Sequence, residues 1–176
     1  MVVVWHGFGS RSNQQQQLKA CQKNLQQIYL ALEIYANENN GRFPALSGAR
    51  GPEEPLSILI PKYTTASGSF ICPGSKDRPI PSAEPLTQRH ISYAYFMGRV
   101  KSDSSSEVLM SDRLIDASPK AQGAQVFSTN GRGPGNNHHR YGGNFLFVDG
   151  RQESSPGPVL FALSWSSNVT LLNPDQ

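Results

Sequence analysis

Apolar residues recur at Leu18, Cys21, Leu25, Ile28, Leu32 and Tyr35, at intervals that alternate between three and four. That spacing lines one face of an α-helix, and the positions between are mostly Gln, Lys, Asn and Glu. The pattern predicts a helix over residues 13–40. Ser12 and Asn13 are suited to its N-cap, and four consecutive glutamines follow as good helix formers. Asn39-Asn40-Gly41 should end it, with Gly41 in the left-handed position and Pro44 just beyond. At ~1.5 Å per residue the rod would be about 40 Å long. No neighbouring stretch supplies a partner helix, so strands later in the chain must cover the stripe.

After Gly41 the pattern changes. Residues 44–55 are rich in Gly, Pro, Ser and Arg and read as an exposed loop. Residues 56–60 lie between Pro55 and Pro61 and read as one helical turn. Phe70-Ile71-Cys72 is a short apolar segment stopped by the Pro73-Gly74 turn, and residues 76–88 carry Pro79, Pro81 and Pro85 without periodicity. Strands are predicted at 91–97, where Tyr93, Tyr95 and Met97 alternate with Ser92, Ala94 and Phe96, then at 107–111 and 144–148. Asp149-Gly150 is a hairpin turn signal, with a return strand starting over 151–153. Residues 128–143 hold too much Gly and Asn for regular structure. The apolar run Val159 to Trp165 reads as an added edge strand. The fold class is therefore α+β: a long helix on an antiparallel sheet, with a loop-rich region at 41–90 and the sheet within 91–165.

Composition supports many short elements joined by loops, since 37% of the 176 residues are hydrophobic and the chain holds 16 Gly and 13 Pro. The length suits one domain. A net charge of +3 arises from scattered basic residues such as Arg11, Lys19, Lys62, Arg89, Arg113 and Arg140. No basic stripe with interleaved aromatics occurs, which argues against nucleic acid as a partner. No run approaches the ~20 apolar residues of a membrane span, and residues 1–8 lack the marks of a signal peptide, so the chain as written reads as soluble.

Candidate chemistry is sparse. His138 and His139, with Asp149 beyond them and Asp112 upstream, are residue types that ligate metals, and a glycine-rich loop can close around an ion. Such a set would make a metal-dependent hydrolase. The competing reading is structural, because Asp-Gly is expected at a hairpin turn for backbone reasons alone. Ser111, Asp112 and His139 are the types of a catalytic triad, but no strained nucleophile elbow accompanies them. Asn130 to Asn137 lacks the Lys-Ser/Thr ending of a phosphate loop. Cys21 and Cys72 are too few for a disulfide scaffold or for a structural zinc site of their own. They read equally as two buried thiols or as one disulfide.

Four blocks in order resemble one family: Cys21-QKNLQQIYLALEIYANENNGRFP, Phe70-ICPGS, Ile91-SYAY followed by Val108-LMSD, and His139-RYGGNFLFV-Asp149-Gly150. The last block places nine residues between the histidine and Asp-Gly. The chain thereby resembles pilin-like proteins with the prepilin-type processing-associated H-x9-DG domain, related to type II secretion pseudopilins. The resemblance implies a pilin-like domain over residues 13–176 and a structural role without catalytic activity or cofactor. It also implies a cell-envelope location, with other pilin-like subunits as partners through the N-terminal helix. In an oxidising envelope compartment Cys21 and Cys72 would form one disulfide tying sheet to helix. His139, Asp149 and Gly150 are the motif residues, and the His139 ring is expected to hydrogen-bond across the base of the Asp149-Gly150 hairpin. The start departs from the family, for MVVVWHGFGSRSNQQQQ stands where a prepilin has its leader and apolar stretch. Residues 1–12 are accordingly expected to be an unstructured or non-native N-terminus. Membrane attachment and a prepilin peptidase would concern only a full-length form with that segment.

Overall fold

The computed structural model describes residues 8–81, 84–87 and 90–174, with side chains from residue 13 onward. The chain order is a long helix α1 (Phe8–Glu38), a short helix α2 (Glu53–Leu56) continued by a 3-10 turn (Ser57–Leu59), a second 3-10 turn (Ser67–Phe70), then β1 (Tyr93–Met97) and β2 (Val108–Asp112). A third 3-10 turn (His139–Tyr141) precedes β3 (Gly143–Phe147), β4 (Gln152–Ser155) and β5 (Thr170–Leu172). The strands make one sheet in the order β4-β3-β2-β1-β5, antiparallel at every pairing. The architecture is α+β, one long helix lying on a five-stranded antiparallel sheet.

The helical stripe does what its spacing requires. Cys21, Leu25, Ile28 and Leu32 are fully buried, while Leu18 and Tyr35 at its ends are half-buried. Fully burying each of these apolar chains contributes ~1.5–3 kcal/mol, which is why the stripe decides which way the helix faces. Its cover is the inner face of the sheet, with Tyr93, Tyr95, Leu109, Met110, Leu146 and Val148, together with Phe70, Leu56 and Leu59 from the loop-rich region. Helix α1 begins upstream of the expected cap: it is already helical at Phe8 and runs through Ser12 and Asn13. Residues 1–7 lie outside the described residues. At the other end Asn40 and Gly41 both take positive φ (55° and 76°), and Gly41 N–H donates to Ala36 O at 2.8 Å. Asn40 therefore shares the left-handed closing turn that the sequence assigned to Gly41 alone.

The outer face of the sheet is buried as well. Ala94, Phe96, Val108, Phe145, Phe147 and Leu171 form a second core with Leu114, Val126, Phe127, Val159 and Leu163. This corrects the reading of Val159 to Trp165 as an edge strand. The segment crosses the outer face without joining the sheet, held by isolated bridges between Lys120 and Leu163 and between Gln125 and Pro158. Phe161 sits edge-on to Phe145 at 5.1 Å between ring centroids, as Trp165 does to Phe96 at 5.4 Å. The edge position beside β1 is taken instead by Thr170–Leu172. A register shift between Val108 and Met110 lets Leu109 and Met110 both reach the helix side and leaves Asp112 pointing into the helix–sheet interface.

Candidate functional site

The residues that carry chemistry meet where the end of β2 passes under α1. Asp112, the last residue of β2, is completely buried and accepts from four donors. Asn137 Nδ2 reaches Oδ1 at 3.0 Å, Asn144 N and Nδ2 reach Oδ2 at 2.8 and 3.0 Å, and His138 Nε2 stands 3.3 Å from Oδ2. Burial pushes the Asp112 carboxyl up. The charge and hydrogen bond of His138, with the donors on Asn137 and Asn144, outweigh it and hold the group below its ordinary value. A buried carboxylate is tolerable only when saturated in this way.

The same amides tie the site to three other segments. Asn144 Nδ2 also donates to Leu18 O on α1, Asn137 Nδ2 to Ser92 O, and Ser154 Oγ to Asn144 Oδ1. Tyr93, opposite Asp112 in the ladder, accepts from Asn24 Nδ2 at 3.2 Å. Burial, and then the charge of Asp112, push its phenol well above the ordinary value.

On the other side of His138 are the cysteines. Cys72 Sγ lies 3.4 Å from His138 Nε2, and Cys21 and Cys72 are joined as a disulfide with a Cα–Cα distance of 5.4 Å. Cys21 comes from the buried stripe of α1. Cys72 is placed by the 3-10 turn Ser67–Phe70 and held by Gly74 N–H, which lies 3.4 Å from its sulfur. His138 comes from the glycine-rich loop just ahead of β3, and its Nδ1 has no hydrogen-bond partner among the described residues. Cys21, Cys72, Asp112 and His138 are all buried, and one ligand atom from each lies within 4.8 Å of the others.

Two expectations are corrected. His139 does not brace the Asp149-Gly150 hairpin: it is exposed, takes a left-handed φ of 51°, and sets its ring against Gly131 before β3 begins. Asp149 stands past the other end of β3, where it accepts from Arg151 N at 2.9 Å. The buried histidine is its neighbour, His138. The set His138, His139, Asp149 and Asp112 therefore does not converge on one ion, because only His138 and Asp112 meet. Nor do Ser111, Asp112 and His139 form a triad, since Asp112 contacts His138 and Ser111 Oγ is buried without a partner among the described residues. Sequence reasoning also missed Asn137 and Asn144. Nothing in a loop without periodicity marks which of several asparagines turns inward.

Gly150 has a clear geometric reason. Its φ is 84°, and an added Cβ would lie 2.5 Å from the Tyr29 ring, whose hydroxyl donates to Val148 O at 3.1 Å. The turn is thus clamped under α1. Gly150→Ala is expected to cost ~1–2 kcal/mol, combining the left-handed backbone with the ring clash. Thermal melts of Gly150→Ala, Tyr29→Ala and the double variant check this, the double losing less than the sum of the singles.

Comparison of the chain with protein-family models, with curated proteins and with solved structures finds no match to any of them. No described helix is long and apolar enough to cross a membrane.

Proposed function

We propose that the protein is a pilin-like structural subunit of a cell-envelope fibre or secretion-type assembly, bound to other pilin-like subunits helix to helix. The observation that carries this reading is the two-sided nature of α1. One side is sealed into the sheet, while on the other Leu30 and Ile34 are 55% and 50% exposed, one turn apart. A 31-residue helix used on one face only is longer than core building needs, and an apolar pair on its back suits a neighbouring helix. The four sequence blocks that resemble the H-x9-DG pilin-like family support the same reading. So does the site: its charged and sulfur-bearing groups are sealed between α1 and the sheet, a position suited to holding two layers together rather than to receiving a substrate.

The paired substitution Leu30→Glu/Ile34→Glu tests it. Both positions are solvent-facing, so the melting temperature should move by less than ~0.5 kcal/mol equivalent. In cells of the source organism, incorporation into fibres recovered by shearing should be lost. Incorporation equal to the unsubstituted protein would overturn the helix-to-helix contact.

A further inference from the structure

We propose that, once the Cys21–Cys72 bond is reduced, Cys21, Cys72, His138 and Asp112 bind one zinc ion in a closed tetrahedral site, so that the same four residues hold the helix to the sheet in either redox state.

The geometry around His138 points there. In a catalytic Cys-His-Asp relay the two ring nitrogens face different partners, one the sulfur and the other the carboxylate. Here one nitrogen, Nε2, faces both Cys72 Sγ at 3.4 Å and Asp112 Oδ2 at 3.3 Å, while Nδ1 faces neither. Convergence of a sulfur and a carboxylate oxygen on one imidazole nitrogen is the arrangement of ligands around a shared cation. The separations agree. With Zn–N and Zn–O near ~2.0 Å and Zn–S near ~2.3 Å, the edges of a tetrahedron are about 3.3 Å for N to O and about 3.5 Å for N to S. Cys21 Sγ supplies the fourth corner once it parts from its partner.

Two thiolates, a neutral imidazole and a carboxylate form a donor set that zinc accepts, and all four are protein ligands. No position is left for water, so the site is structural and distinct from a hydrolytic one. Part of the supporting shell is already in place: Asn137 Nδ2, Asn144 N and Asn144 Nδ2 orient Asp112 and offset the net negative charge that two thiolates and a carboxylate leave around a dication, whereas His138 Nδ1 has no partner among the described residues. The chemistry balances with an external dithiol or phosphine as reductant. Two electrons and two protons convert the disulfide to two thiols; zinc then displaces both thiol protons to solvent, the proton on His138 Nε2 leaves that nitrogen for Nδ1 or for solvent, and two Zn–S bonds, one Zn–N bond and one Zn–O bond form.

The test uses the full chain and cobalt(II) as a spectroscopic stand-in. Protein reduced anaerobically with a phosphine should take up one cobalt per chain. It should show thiolate-to-metal charge transfer and the intense visible bands of tetrahedral cobalt, both bleached by one equivalent of zinc. The unreduced protein and Cys21→Ser/Cys72→Ser should show neither band. His138→Ala should weaken cobalt affinity at least tenfold, and Asp112→Asn should shift the visible bands while keeping the charge transfer. Uptake without tetrahedral bands, equal uptake by the oxidised protein, or no uptake would each overturn the proposal. Should the reduced chain unfold without metal, zinc must restore its helical circular dichroism. Failure to do so counts against the site equally.

Discussion

Asp112→Ala is expected to lower the stability of the oxidised, metal-free protein by ~3–5 kcal/mol, moving the urea midpoint down by roughly 1–3 M. The carboxylate is the acceptor shared by β2, β3 and the glycine-rich loop. Its loss leaves the Asn144 N–H, two side-chain amides and the His138 ring facing a dry interior. Unmet donors, more than the lost attraction, make the effect large. Asp112→Asn keeps one acceptor oxygen but turns an NH2 group toward donors, so it should fall between the wild type and alanine. A loss under ~1 kcal/mol for the alanine variant would show that the cluster does not hold these segments. The sign of the pH dependence follows from the depressed pKa. Stability owed to Asp112 is fully present above its unfolded value near 3.8 and is lost as pH falls through the lower folded value. The oxidised protein should thus weaken in acid below about pH 4, and Asp112→Asn should weaken less steeply there. Asp116, held at about 2 by Lys120 and Ser118 on the surface, titrates in the same direction in both proteins and does not disturb the comparison.

Reduction of Cys21–Cys72 in the presence of a chelator is the second large expected effect. The bond closes a loop with a sequence separation of 51, and the chain-entropy relation gives about 4 kcal/mol for a loop of that length, at the upper end of the usual range. The linkage also spans two layers. It fixes the α1 stripe near its N-terminal end to the segment after the Ser67–Phe70 turn, which itself carries Phe70 into the core and Ser92 N–H on Phe70 O. Melting curves with and without a phosphine, both in chelator, should differ accordingly. Curves of Cys21→Ser/Cys72→Ser should match the reduced protein and ignore the reductant. Adding zinc to the reduced wild type alone should recover part of the difference, which separates the metal from the disulfide.

What was legible in the chain was whatever had a period. The 3-4 spacing from Leu18 to Tyr35 gave the helix and its buried face, and short β-branched and aromatic runs bounded by turn residues gave β1, β2, β3 and the hairpin to β4. The helix start is not legible, because Ser12 and Asn13 suit a cap but are equally tolerated inside a helix when neighbours propagate it. The second core was not legible. Residues 114–127 and 158–165 are Pro- and Gly-punctuated, and their apolar side chains reach the sheet from irregular backbone whose spacing follows no rule. Val159 to Trp165 has strand composition, yet its backbone pairs at isolated points with residues 120–125. Leu30 and Ile34 stand out only in the fold, because a single apolar pair among polar residues on the back of the helix has no period of its own. At the site, the sequence offers Asp112, His138, Cys21 and Cys72 as candidates by residue type, and only the fold groups these four together. Adjacent histidines in a flexible-looking loop cannot be told apart by spacing, and only the fold shows that His138 turns inward while His139 stays at the surface.

On the proposed function, α1 serves two surfaces, the sheet in front and a neighbouring subunit behind. A photo-cross-linking residue placed at Leu30, activated in the protein's native cells, tests this most directly. The expected result is a ladder of covalent products in the envelope fraction, with mass spectrometry locating each link on the long N-terminal helix of another pilin-like subunit. Cross-links confined to unrelated proteins, or none in cells where the protein is abundant, would contradict it.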